Sequence, residues 1–155
     1  MTVNLQVSEE IARKVRAKPK YCYENAMRAL LWCDELDKDH AYYVEGIAVG
    51  YATRVPFHHG WVEVGDEIID PTFTPTTIKK LRAPNSTPAS KALFAQMRSE
   101  GLAEYARGSV PTYMPVARYT HQAVLHFVRD YGHYGPLDEQ ALDNALVLLA
   151  RKPMS

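Results

Sequence analysis

Gly65-Asp66 stands between two β-prone runs, His-His-Gly-Trp-Val-Glu-Val at 58–64 and Glu-Ile-Ile-Asp at 67–70. A two-residue turn of this kind between such runs marks a β-hairpin, because glycine readily supplies the positive φ the turn needs. Pro71 ends the return strand, since proline cannot donate to a ladder. Residues 41–52, rich in aromatic and β-branched side chains, read as a further strand, and Gly46 and Gly50 in it mark a bulge or a close backbone approach. Helical patterning lies on both sides of this block. Over residues 22–36, Ala26, Ala29, Leu30 and Cys33 recur at three- and four-residue spacing. A short helix over 8–16, with Ser8 as N-cap, precedes it and is broken at Lys18-Pro19-Lys20. Residues 34–40 are a polar turn. Residues 71–90 hold four of the ten prolines and read as a long irregular connection. Further helices are predicted over 90–102 (Gly101 helping to end it), 120–131 (ended by Gly132) and 137–152 (Asp138 near its start), with an extended edge over 110–116. Helix, strands, then helices predict an α+β fold with an antiparallel sheet.

The hairpin register carries chemical consequences. With Gly65-Asp66 as the turn, Val64 pairs with Glu67, Trp61 with Asp70 and His59 with Thr72. Side chains alternate along strands, so His59, Trp61 and Glu63 share one face with Ile68, Asp70 and Thr72. Asp70 is then a diagonal neighbour of His59, roughly 7–8 Å away between backbones and within reach of long side chains. Its carboxylate can hold one ring nitrogen of His59. His58 points to the other face, and a one-residue slip would exchange the two histidines.

Cys22 opens a predicted helix. The thiolate is the nucleophilic form of cysteine, and a helix N-terminus favours it while its free N–H groups can receive a developing oxyanion. A histidine can take the thiol proton, and an aspartate can orient the histidine. Cys22, His59 and Asp70 are therefore the candidate nucleophile, base and orienter. Cys33 lacks these features and is assigned to the core.

Composition narrows the class. The chain has 155 residues, which suits one domain, with a core region over about 20–73 and helical additions over about 86–152. Lys plus Arg and Asp plus Glu each total 18, so the formal charge is zero. That gives no electrostatic case for nucleic acid or an acidic membrane surface as partner. No segment approaches the roughly 20 apolar residues of a membrane span. The first residues lack the basic and apolar regions of a signal peptide, so a cytoplasmic location is expected. The two cysteines lie eleven residues apart on one predicted helix, about 16 Å along its axis, too far for a disulfide. No Cys-x-x-Cys or His-Glu-x-x-His pattern supports a metal site, and no cofactor is expected. Cys22 with His58 and His59 would lack a clear fourth zinc ligand. His121, His126 and His133 have no metal spacing and are assigned structural or exposed places. Tyr42, Tyr43 and Glu45 are candidates for lining the cleft, and packing of a central strand accounts for them equally well.

The runs Tyr21-Cys22-Tyr23-Glu24-Asn25-Ala26, Tyr43-Val44-Glu45-Gly46, His59-Gly60-Trp61-Val62-Glu63 and Ile69-Asp70-Pro71-Thr72 together resemble the core of papain-like and transglutaminase-like cysteine enzymes. The resemblance covers about residues 20–73. It implies a nucleophile helix packed on a small antiparallel sheet, with Cys22 as nucleophile, His59 as base and Asp70 as orienter. It also implies hydrolysis or transfer at an acyl bond of a peptide, protein or small amide. Papain-like peptidases usually carry an upstream glutamine as oxyanion donor. The only upstream glutamine here is Gln6, which sits in no such motif. Tyr21, Asn25 and backbone amides are the alternatives, and Tyr43 and Trp61 are further candidates for contact with substrate. A binding or inhibitor module that keeps the fold without turnover is the rival reading, and oligomeric state is left open.

Overall fold

The computed structural model describes residues 1–50, 55–85 and 87–151. In chain order its elements are β1 (Thr2–Val3), α1 (Leu5–Lys14), α2 (Cys22–Trp32), β2 (Ala41–Val49), β3 (Pro56–Val64) and β4 (Glu67–Ile69). There follow α3 (Pro75–Ile78), α4 (Pro88–Ala106), β5 (Thr112–Thr120), α5 (His121–Tyr131) and α6 (Glu139–Ala150). The fold is α+β. The end of the expected strand at residues 51 and 52, Ser86 in the expected connection, and residue 152 of the expected last helix lie outside the described residues.

The strands form one sheet in the order β1-β4-β3-β2-β5. Gly65 adopts φ +59 and Val64 pairs with Glu67, so the hairpin turn falls at Gly65-Asp66. The sheet is mixed rather than antiparallel throughout, because β1 runs parallel to β4. Two residues are too few to show the period-two signal of a strand. This strand is set by backbone partners instead: the Thr2 N–H donates to Asp66 O at 3.2 Å and the Asn4 N–H to Ile68 O at 2.9 Å.

That threading also moves the first helix. It starts at Leu5, capped by Asn4, whose Oδ1 accepts from the Val7 N–H at 3.0 Å. Asparagine caps as well as serine does. Ser8 is therefore not the N-cap; it lies buried inside α1, where its hydroxyl donates to Asn4 O. α2 begins at Cys22 but ends at Trp32, short of residue 36, and Cys33 caps it in an extended conformation. Cys33 is thus buried just beyond the helix, not within it.

Helix α2 buries Ala26, Met27, Ala29 and Leu30 against Ala41, Tyr43, Val62 and Ile69 on one face of the sheet. The opposite face carries a second apolar cluster of Val44, Trp61 and Ile68, joined by Val3 and Tyr113. Gly46 lies where β2 meets β5, at a register shift between Glu45 and Gly46. Helix α4 runs through Gly101 to Ala106 rather than stopping there. A Cβ on Gly101 would lie 3.3 Å from Ile78 Cγ2, so this glycine serves the close approach of α4 to α3. Thr120 caps α5, and Gly132, left-handed at φ 67, terminates it. The connection over 71–90 also contains the short α3.

Candidate active site

His59 and Asp70 meet as a fully buried pair. The His59 Nε2–H donates to Asp70 Oδ2 at 2.8 Å, and both residues are 1% exposed. The hairpin brings them together because Val62 pairs with Ile69, which carries the turn-set register to the residue before Asp70. Asp70 is held by further donors. The Tyr113 hydroxyl donates to the same Oδ2 at 2.7 Å, and the Thr72 N–H to Oδ1 at 2.9 Å. The backbone is pinned as well, since the Asp70 N–H donates to Ser8 Oγ at 2.9 Å. Tyr113 and Ser8 are absent from the sequence-based site. Tyr113 lies 43 residues from Asp70 on another strand, and no local pattern links the two.

Four aromatic rings surround the imidazole. Phe73 lies 5.0 Å from it between centroids, Phe57 5.6 Å, Trp61 6.0 Å and Tyr113 6.1 Å. Burial among them would lower the His59 pKa, because it penalises the imidazolium. The Asp70 charge and hydrogen bond, with those of Cys22, outweigh burial and push it up to about 10. Burial likewise acts to raise the Asp70 pKa, but the His59 charge and the hydrogen bonds from His59, Tyr113 and Thr72 bring it below its ordinary value. Tyr113 is pushed the other way, first by burial and then by the Asp70 charge, so it stays a protonated donor.

Cys22 is half-buried at the start of α2. It reaches the imidazole around an edge of the sheet, not across a face. His59 stands with Trp61 on the side away from α2. The ladder between β3 and β4 stops at Val62–Ile69, so the first part of β3 outruns its neighbour. There Cys22, His59 and Asp70 line one cavity of about 500 Å³. Asp70 occupies Nε2 of the imidazole, so Nδ1 is the nitrogen available to the thiol.

The oxyanion and substrate candidates have other places. Asn25 is buried, and its amide is committed to the loop before α2. Its Oδ1 accepts from the Lys18 N–H at 3.1 Å, while Nδ2 donates to Lys18 O at 2.8 Å and to Thr72 Oγ1 at 3.1 Å. Tyr21 is 54% exposed, with the Lys18 ammonium over its ring at 5.5 Å. Tyr43 is buried in the α2-side core, and its hydroxyl has no hydrogen-bond partner among the described residues. Trp61 is buried behind His59, its indole N–H donating to Glu63 Oε1 at 3.3 Å. Glu45 does not line the cleft either; it is buried and accepts from the Leu137 N–H before α6, at 3.1 Å from Oε2. Tyr42 is 39% exposed and outside the cavity lining. The N-terminus of α2 has no side-chain cap among the described residues. Its first-turn N–H groups are the donors left near Cys22.

His58 is separate from the pair. Its Nε2 lies 3.3 Å from Asp143 Oδ1 on α6, within ion-pair range, yet it is misaligned for a hydrogen bond. The contact attracts only when His58 is protonated. Among the described residues no group of three His, Cys, Asp or Glu side chains is arranged to hold a metal ion, and no helix is long and apolar enough to cross a membrane. Comparison of the chain with protein-family models, curated proteins and solved structures found no significant match.

Proposed function

We propose that this chain is a cysteine-nucleophile hydrolase or acyltransferase of papain-like or transglutaminase-like type. The observation that carries the reading is the buried, 2.8 Å His59–Asp70 pair whose imidazole also feels the Cys22 thiol, all three residues lining one cavity. His59 takes the Cys22 thiol proton, which leaves a thiolate beside an imidazolium. The thiolate attacks a substrate carbonyl, an S–C bond forms, and the carbonyl electrons move to oxygen. The amides opening α2 stabilise that oxyanion, a contribution of about 10²–10³-fold per donor in enzymes of this kind. His59 gives its proton to the leaving amine or alkoxide as the C–N or C–O bond breaks, leaving a thioester on Cys22. Water or an amine then adds to the thioester, His59 takes its proton, and the thiolate departs. Asp70 keeps the imidazole oriented throughout.

Intact-mass measurement after mixing with an activated ester, such as p-nitrophenyl butyrate, tests this. One acyl group should appear on the wild-type chain and on Cys33→Ala, and none on Cys22→Ala. Acylation of Cys22→Ala at the wild-type level would sink the proposal, as would a chain that takes no acyl group at all.

A further inference from the structure

The walls of the cavity point to what the substrate carries. Beyond Cys22, His59 and Asp70 it is bounded by Phe57, Phe73, Ile78, Leu81, Met97 and Tyr105, among others. These side chains come from β3, from the loop between β4 and α3, from α3 and the residues just after it, and from α4. Apart from the two histidines and Asp70, the charged side chains on its lining are Lys20 and Glu104. They have opposite sign, and Lys20 is exposed with its ammonium over the Phe94 ring at 5.7 Å. A charged group entering this space would lose hydration without a dedicated partner. The volume suits a small organic ligand.

Helix α4 supplies an independent observation. It spans 19 residues and buries none of them, and it leans on α3 through Gly101 and Ile78. Met97, on the cavity side, remains 44% exposed. Met97, with Gly101 and Tyr105 of the same helix, therefore meets the open cavity instead of a packed core. A ligand there would supply the missing contacts.

We infer that the acyl part of the substrate is an uncharged aliphatic or aryl-alkyl chain, which lies between the hairpin and α4 with its carbonyl at Cys22. This inference rests on Cys22 as nucleophile. Each methylene moved from water into such a site favours binding roughly three- to fourfold, as an upper range.

The experiment is a series of p-nitrophenyl esters from acetyl to octanoyl, read as the rate of Cys22 acylation by mass spectrometry. The rate should rise at least about tenfold along the series. Hexanoyl should outpace 6-aminohexanoyl, and Met97→Trp, which fills the space, should lower the octanoyl-to-acetyl ratio. A rate that is flat or falls with length overturns the inference, as does an aminohexanoyl ester as fast as the hexanoyl one. Binding to Cys22→Ala reads the cavity apart from the chemistry: octanamide should raise its Tm, and acetamide should not. If octanamide leaves Tm unchanged, the apolar chain is wrong whatever Cys22 does. If octanamide binds while no ester acylates Cys22, the nucleophile falls and the acyl assignment with it, leaving an apolar binding site.

Discussion

Asp70→Asn is expected to lower folding stability by about 3–5 kcal/mol near neutral pH, the usual cost of removing one partner from a buried ion pair. The substituted amide would keep the size of the side chain but lose the charge that holds the His59 proton. The effect should depend on pH in both directions. His59 has its pKa raised from 6.5 to about 10 by Asp70 and Cys22 against the opposing effect of burial. Its contribution is fully present below about 6.5 and is lost as pH rises through about 10. Asp70 has its pKa lowered from 3.8, so its contribution is present above that value and is lost as pH falls through the folded-state value. Both shifts describe one pair and do not add. Urea unfolding of wild type and Asp70→Asn should therefore differ most between these limits, and the gap should close in alkali. A gap that stays constant from neutral pH to above 10 would mean that the lost stability is packing, not charge.

Gly46→Ala should be nearly as damaging, although it adds only one methyl group, directly across the β2–β3 ladder from His59. A Cβ there would lie 2.2 Å from Met114 O and 2.6 Å from Trp61 Cη2. The first is backbone of β5, and the second belongs to a fully buried indole stacked on His59. Neither can yield without moving a strand or the site, and a loss of about 3 kcal/mol is expected. Gly65→Asn is the control. Gly65 has positive φ but nothing within 4 Å of its would-be Cβ, and asparagine tolerates the left-handed region. Its loss should stay below about 1 kcal/mol. Equal urea midpoints for Gly46→Ala and wild type would show that β5 does not pack as described.

What was legible from sequence is what local rules govern. The turn at Gly65-Asp66 sets the register of β3 on β4, and strand alternation then puts Asp70 on the His59 side. Helix ends at Thr120, Gly132 and Asp138 carry chemical signals that survive folding. Contacts between distant segments are not readable in this way. Tyr113 reaches Asp70 only because β5 joins the far side of β2, a pairing fixed by the whole sheet. The commitment of Asn25 to Lys18 and Thr72 depends on how the loop before α2 folds back. Gly101, a helix breaker by propensity, is overridden by its packing against Ile78.

Alkylation of the two thiols by iodoacetamide, followed at each cysteine by peptide mass spectrometry near neutral pH, tests the Cys22–His59 partnership most directly. Cys33 is buried and its pKa is raised by that burial, so it should react only as the fold opens and gauges unfolding in the same sample. Cys22 should react about 10²-fold or more faster than Cys33, and in His59→Ala its rate should fall by about 10²-fold while Cys33 stays slow. Cys33 reacting as fast as Cys22 in the wild-type chain, or a Cys22 rate unchanged by His59→Ala, would contradict the partnership.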